Sequence, residues 1–148
     1  GITVRRDRLD AFRERFAEVA ARELDPASLG PEQRVDLEIS LAEATDDLER
    51  LCRHLEPCGM GNPGPVFGVR GAWFASWRFV GQGHLRGSLR DEHGQLSAIG
   101  FQFADRVPWL DTRPVDAAFR LERNEFRGQS TLQARLVALS PHRPADGR

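Results

Sequence analysis

The chain contains no lysine: all 21 of its basic residues are arginine. A phosphate-cradling P-loop needs a lysine after its glycine turn, so that class of nucleotide site is excluded. Only two cysteines occur in 148 residues, too few for a disulfide framework, and a reducing cytoplasmic setting is the expected one. No run approaches the eighteen apolar residues of a membrane span, and the first residues carry no signal-peptide core, so no membrane partner is expected. The four histidines, His54, His84, His93 and His142, are scattered singly, without the spacing of a metal site. Cys52-x-His54-x-x-x-Cys58 does not supply one, because on a helix positions 52 and 54 point about 200° apart. A nucleophile elbow is missing too. These absences together predict a chain with no cofactor, no metal and no catalytic residue of its own.

What is present is an uneven charge. Residues 1–56 hold nine arginines against fourteen carboxylates, while residues 57–148 hold twelve against eight. The second part is the basic one. A GC-rich genome explains the arginine bias as well as function does, although the planar guanidinium suits phosphate and base stacking.

Between these parts lies "LEPCGMGNPGPVF", residues 55–67, which contains Gly59-x-Gly61-x-x-Gly64. In a dinucleotide fingerprint this spacing follows a strand and opens a helix. Here the order is reversed. Apolar residues at Leu41, Ala44, Leu48, Leu51, Cys52 and Leu55 recur with helical period and predict an amphipathic helix before the glycines. Pro63 and Pro65 forbid a helix after them. The stretch therefore reads as a structural connector of Gly59, Gly61, Asn62, Pro63 and Pro65, with Gly59 in the left-handed position that ends a helix.

Before it, Asp7 is placed to cap a helix with an apolar face of Leu9, Phe12, Phe16, Val19 and Ala20, stopped by Asp25-Pro26. "RVDLEIS" reads as a short strand. Residues 1–55 have little to pack against and are expected to be the helical remnant of a larger domain, followed by the connector at 56–65, a barrel at 66–140 and a tail at 141–148.

From Val66 on, short strands alternate with turn signals: "VFGVRGAWFASWRFVG", "HLRGSLRD", "QLSAIGFQF", an irregular insertion "ADRVPWLDTRP", and a hairpin of "VDAAFRLERNEF" and "STLQARLVALS" across Arg127-Gly128-Gln129. Five strands with a non-sheet insertion between the third and fourth outline an OB-fold-like β-barrel, giving an α+β chain. A generic five-strand sandwich has the same strand count. Strand alternation sets His84, Arg86, Ser88 and Arg90 on one face, and Gln133 and Arg135 on one face of the last strand. With Arg70, Arg78, Arg123 and Arg127 these form a candidate basic groove for single-stranded nucleic acid, and Trp73 and Trp77 are candidate stacking platforms. Aromatics in strands are more often core, and surface arginines more often solvated, so both readings stay open here.

The connector, "VGQGHLRGSL", "SAIGFQF" and the closing hairpin carry a further signal. The chain resembles the C-terminal part of RecJ, the single-strand-specific 5'-to-3' exonucleases of the DHH phosphoesterase superfamily, whose connector "L-x-P-F-G-x-G-N-P-x-P-V-F" is matched from Leu55 to Phe67 except at Cys58. "GITVRRDRLDAFRERF" is similar to the segment after the Gly-Gly-His motif of that family's DHHA1 domain. The resemblance implies the end of DHHA1 over residues 1–55, then an OB-fold that holds single-stranded DNA during repair and recombination. It also implies that the manganese- or magnesium-dependent catalytic core is absent from this chain. Single-stranded DNA is the expected partner of a monomer, with a single-strand-binding protein or a helicase as a further one; a protein-interaction platform is the alternative.

Overall fold

The computed structural model describes residues 1–24, 32–55, 58–59, 64–111 and 113–144. Gly61, Asn62 and Pro63 of the connector, the Asp25-Pro26 breaker and the last four residues lie outside them. The chain divides into two compact units, residues 1–32 and 33–148.

The first unit is one helix, α1 (Leu9–Glu23), preceded by a 3-10 turn at Arg6–Arg8. Asp7 does not cap it. Its carboxylate instead binds the Arg5 guanidinium at 2.9 Å, and the helix starts from Arg8 without a side-chain cap. Phe12 and Phe16, one turn apart, meet at 5.7 Å between ring centroids.

The second unit begins at Gln33, not at the connector. Its elements are β1 (Leu37–Glu38), α2 (Asp46–Arg53), β2 (Phe67–Val80), β3 (His84–Arg90), β4 (Gln95–Gly100), β5 (Val115–Phe126) and β6 (Gln129–Pro141). The segment ahead of the connector at 56–65 shares this unit with the strands: β1 pairs in parallel with the start of β2, Leu37 opposite Phe67, and Leu48 and Cys52 of α2 pack on the barrel core. α2 is also shorter than its apolar period suggests. Thr45 accepts a hydrogen bond from the Leu48 N–H and starts the helix, so Leu41 and Ala44 precede it in a turn. Its end is closed by short-range bonds, His54 N–H to Leu51 and Leu55 N–H to Cys52. Gly59 lies beyond these and has no left-handed φ, so the glycine cap is not the device used.

β2 to β6 close into a five-stranded barrel, and the OB-fold expectation holds. Around it run β2, β3, β4, β6 and β5, with β5 returning to β2; every pairing is antiparallel except β4 with β6. One strand can serve both ends of this ring only by bending. β2 does so around Gly71, with φ +64°: residues up to Ala72 pair with β5 and residues from Trp73 on with β3. The Gly71 N–H donates to Asp116 Oδ1 at 2.9 Å, and His142 Nδ1 lies 2.7 Å from the same oxygen. The inward positions Phe67, Phe74, Leu85, Leu89, Leu96, Ala98, Val115, Phe119, Ala134 and Leu136 form the core, burial that drives closure. Phe103, just before the insertion, and Val107 within it join this core as well; a Cβ at Gly100, the last residue of β4, would meet the Phe103 ring at 2.8 Å, so glycine there lets the ring lie against the strand.

Asp91 ties the N-terminal segment to this barrel. Its carboxylate accepts the N–H groups of Leu41, His93 and Gly94 at 2.7–2.8 Å. Burial acts to raise its pKa, yet these three bonds together outweigh it and hold the carboxyl below the ordinary aspartate range.

Candidate nucleic-acid interface

Residues opposite each other across a sheet share a face, so the register assigns each candidate. Arg78 stands opposite Arg86, Arg86 opposite Ile99, Ile99 opposite Arg135 and Arg135 opposite Arg120. One outward row thus crosses all five strands and carries four arginines. A second row runs from Ser88 through Ser97 and Gln133 to Glu122, and Arg90 lies outward between Trp73 and Gln95.

Like charges directly opposite each other disfavour the sheet. Arg78, Arg86 and Arg90 are nevertheless exposed and have no carboxylate partner among the described residues. Arg135 is partly neutralised by Glu122 at 3.7 Å, whose other oxygen accepts the Gln133 amide at 2.6 Å.

An aromatic platform borders the row. Phe101 follows β4 with its ring 44% exposed. The Arg135 guanidinium lies 5.2 Å over it and the His84 ring meets it edge-on at 5.2 Å. His84 is held in turn, since its Nδ1 accepts the Gln102 N–H at 3.1 Å. A flat ring bracketed by a guanidinium and an imidazole is suited to stacking a base. Phe101 was not among the residues expected from sequence. Its signal was available: alternation from the inward Ala98 and Gly100 sets Phe101 outward, whereas "SAIGFQF" had been read simply as a strand.

The other candidates scatter. Arg127 sits in the β5–β6 turn, with φ +50° and Gly128 at +76°, the hairpin geometry that left-handed residues permit; it lies 5.2 Å over Phe126, and so forms an exposed tip at one end of the barrel. Arg70 is turned away and paired with Glu38 at 2.9 Å. Arg123 is on the core side of β5, opposite Leu132, 3.0 Å from Asp46 and 3.7 Å from Glu49 of α2. It clasps the helix and does not face the row.

The two tryptophans separate as well. Trp73 is outward and half exposed. Trp77 follows a bulge at Ser76, φ +51°, which turns it toward the core, where a Cβ at Gly87 would come within 2.9 Å of Trp77 Cβ and 2.8 Å of the Phe74 ring. Of the connector, Gly59, Gly64 and Pro65 are described: the Gly64 carbonyl accepts from Arg120 at 3.3 Å, and Gly64 abuts the Cys58 sulfur. Burial, with the Glu49 charge adding to it, pushes the Cys52 thiol up, the opposite of a nucleophile. Among the described residues no three histidine, cysteine or carboxylate side chains converge as metal ligands, and no helix is long and apolar enough to cross a membrane.

A family model of the RecJ OB domain matches residues 35–138. The chain belongs to that family. It is 34% identical over 137 residues to the single-stranded-DNA-specific exonuclease RecJ of Salmonella typhimurium, covering 90% of this chain and 23% of that protein. The Escherichia coli RecJ is 33% identical over 136 residues, with the same coverage. Among solved structures, RecJ of Thermus thermophilus in complex with Mn2+ superposes with a TM-score of 0.69 at 27% identity, covering 99% of this chain and 21% of that one. Its Mg2+ complex gives 0.68, covering 97% and 21%. The chain therefore spans about a quarter or less of the RecJ proteins it matches. The match begins at residue 35, close to where the compact unit begins, and so takes α2 with the OB barrel.

Proposed function

We propose that this region grips single-stranded DNA for a RecJ-type exonuclease acting in repair and recombination in the cytoplasm. The phosphodiester chemistry, with its manganese or magnesium, is assigned to other parts of such an enzyme. α1 is assigned to the end of a DHHA1-like domain, and the chain to a monomer. The observation that carries the proposal is the outward row of Arg78, Arg86, Arg135 and Arg120 beside the Phe101 platform. Arg78 and Arg86, which have no carboxylate partner among the described residues, are free to attract phosphates, and a bracketed ring receives a base without reading its identity.

Titration of a fluorescent oligo-dT and of a matching duplex at low and moderate salt tests it by anisotropy. Binding is expected to favour the single strand and to weaken steeply with salt as counterions return. A folded sample that binds neither, or binds the duplex equally well, overturns it.

One observation favours a second reading. Trp73 borders a cavity lined by Glu38, Glu43, Asp91 and Glu92 against Arg70 and His93, an excess of carboxylates that repels phosphate and would suit a basic protein segment. On that reading the barrel docks a repair partner, a single-strand-binding protein or a helicase, beside its DNA row. Loss of partner capture on Trp73→Ala with DNA affinity retained supports it; capture unchanged removes it.

A further inference from the structure

The outward row is uneven along its length. Arg78 and Arg86, at its β2–β3 end, have no carboxylate partner among the described residues, whereas both arginines at its β6–β5 end are engaged. Arg120 Nε donates to the Gly64 carbonyl at 3.3 Å, and Arg135 Nη1 lies 3.7 Å from Glu122 Oε2. Of the side chains in this row and in the one beside it, which runs from Ser88 through Ser97 and Gln133 to Glu122, only Glu122 is acidic. A carboxylate therefore stands on the face assigned to phosphates.

Its place is fixed by its neighbours. Glu122 lies directly opposite Gln133 across β5 and β6, and its Oε1 accepts the Gln133 amide at 2.6 Å, the short distance of a bond to a charged acceptor. The other oxygen is left for Arg135, the diagonal neighbour on the same face. Arg135 is held as well, over the Phe101 ring at 5.2 Å. The Arg135 side chain is 56% exposed and that of Glu122 31%, a setting in which an ion pair adds little to stability. What the pair changes is the field outside the barrel. A guanidinium already balanced by a carboxylate releases few counterions when a phosphate arrives, and the phosphate is repelled by the carboxylate as it closes on the arginine.

We propose that Glu122 is a built-in competitor for phosphate, which shields Arg135 and divides the face into a tight half on β2 and β3 and a loose half on β6 and β5. The proposal rests on the strand-gripping reading and names what holds that grip down. A strand can then shift across the loose half while Arg78 and Arg86 keep their phosphates. The contrary role is a positioning one, in which Glu122 steadies Arg135 over the ring for the strand; it predicts the opposite sign.

The test follows oligo-dT by anisotropy over a range of salt, with the unaltered chain, Glu122→Gln, Arg135→Gln, the two together, and Glu125→Gln as control. Glutamine at 122 keeps the shape and the acceptor for the Gln133 amide, and circular dichroism checks the fold of each protein. Glu122→Gln is expected to bind about three- to fivefold more tightly at low salt, the scale of one exposed ion pair, with a salt slope steeper by up to about 0.7. Arg135→Gln alone should lower affinity by less than about twofold, and combined with Glu122→Gln it should remove the whole gain. Glu125→Gln takes the same charge from β5 opposite Ser130, away from Arg135, and should leave affinity within about twofold. Unchanged or weaker binding by Glu122→Gln, an equal gain from Glu125→Gln, or a gain that survives Arg135→Gln overturns the shield; oligo-dT binding by the unaltered chain then leaves the grip standing. Failure of every one of these proteins, folded, to bind oligo-dT overturns the grip and the shield with it.

Discussion

On the outer face of β2 and β3, Arg78 and Arg86 stand opposite each other with no carboxylate between them; on the flank of β5, Arg123 is held by Asp46 and Glu49. The same side chain does opposite things in the two places. At the flank it compensates a buried charge and fixes a helix to the barrel, so its contribution belongs to stability. On the face it repels its neighbour, a cost that an arriving phosphate would relieve, so under the proposed function its contribution belongs to binding. Net charge does not distinguish the two; the partner of each guanidinium does.

The sharpest way to break this contrast is to remove Arg78 and Arg86 together. We expect about a 30-fold loss of affinity for oligo-dT at low salt, from two solvent-exposed ion contacts of about 1 kcal/mol each, and a salt slope smaller by about 1.4, at roughly 0.7 per phosphate on a single strand. Thermal unfolding should show the fold unharmed or slightly more stable, because a like-charge pair is gone. If Arg123→Ala is made instead, stability should fall by about 1–2 kcal/mol in urea, less than for a fully buried pair because Arg123 is partly exposed, with DNA affinity unchanged wherever the protein stays folded. Weaker DNA binding by the folded Arg123→Ala protein would erase the distinction.

Phe101→Ala sharpens the description of the face: about a five- to tenfold loss is expected, the low end of what one stacked base contributes, with little change in the salt slope. A slope change as large as that of the arginine pair would mean the ring acts through Arg135 and not through a base. The smallest effect is reserved for Asp91. Its carboxyl is lowered in the folded state, so its contribution is complete above the ordinary aspartate range and fades as pH falls through the lower folded value. Asp91→Asn should cost about 1 kcal/mol at neutral pH and flatten the acid limb of a stability-against-pH curve measured by circular dichroism.

Much of the barrel was legible because alternation of period two survives along each strand: Leu85 and Leu89 in, Arg86 and Arg90 out. What failed did so where the period is interrupted. The bulge at Ser76 returns Trp77 to the core, and nothing in "FASWRF" marks it. On β5 the register shifts between Ala118 and Phe119, which sends Arg120 outward and Arg123 toward α2; a strand read alone does not show which face is which. The start of the compact unit at Gln33 was hidden for a different reason. β1 has only two residues, and its value comes wholly from the edge of β2 that it covers, a contact between positions 30 apart that local patterning does not contain. The row itself depends on the parallel β4–β6 pairing, and so only the closed barrel brings Arg86 and Arg135 to one side.

The bend at Gly71 has a bearing on how such a chain is made. The Gly71 amide is fastened to Asp116, which also meets His142, so three points along more than seventy residues must exist before the joint is complete. A nascent chain emerging from the ribosome can form the β2–β3–β4 meander early, but until β5 and β6 have been synthesised it exposes unpaired strand edges, the state most open to misassociation. Emergence of β6 is therefore the event that seals the ring, and truncations that stop before β6 should appear in the insoluble fraction.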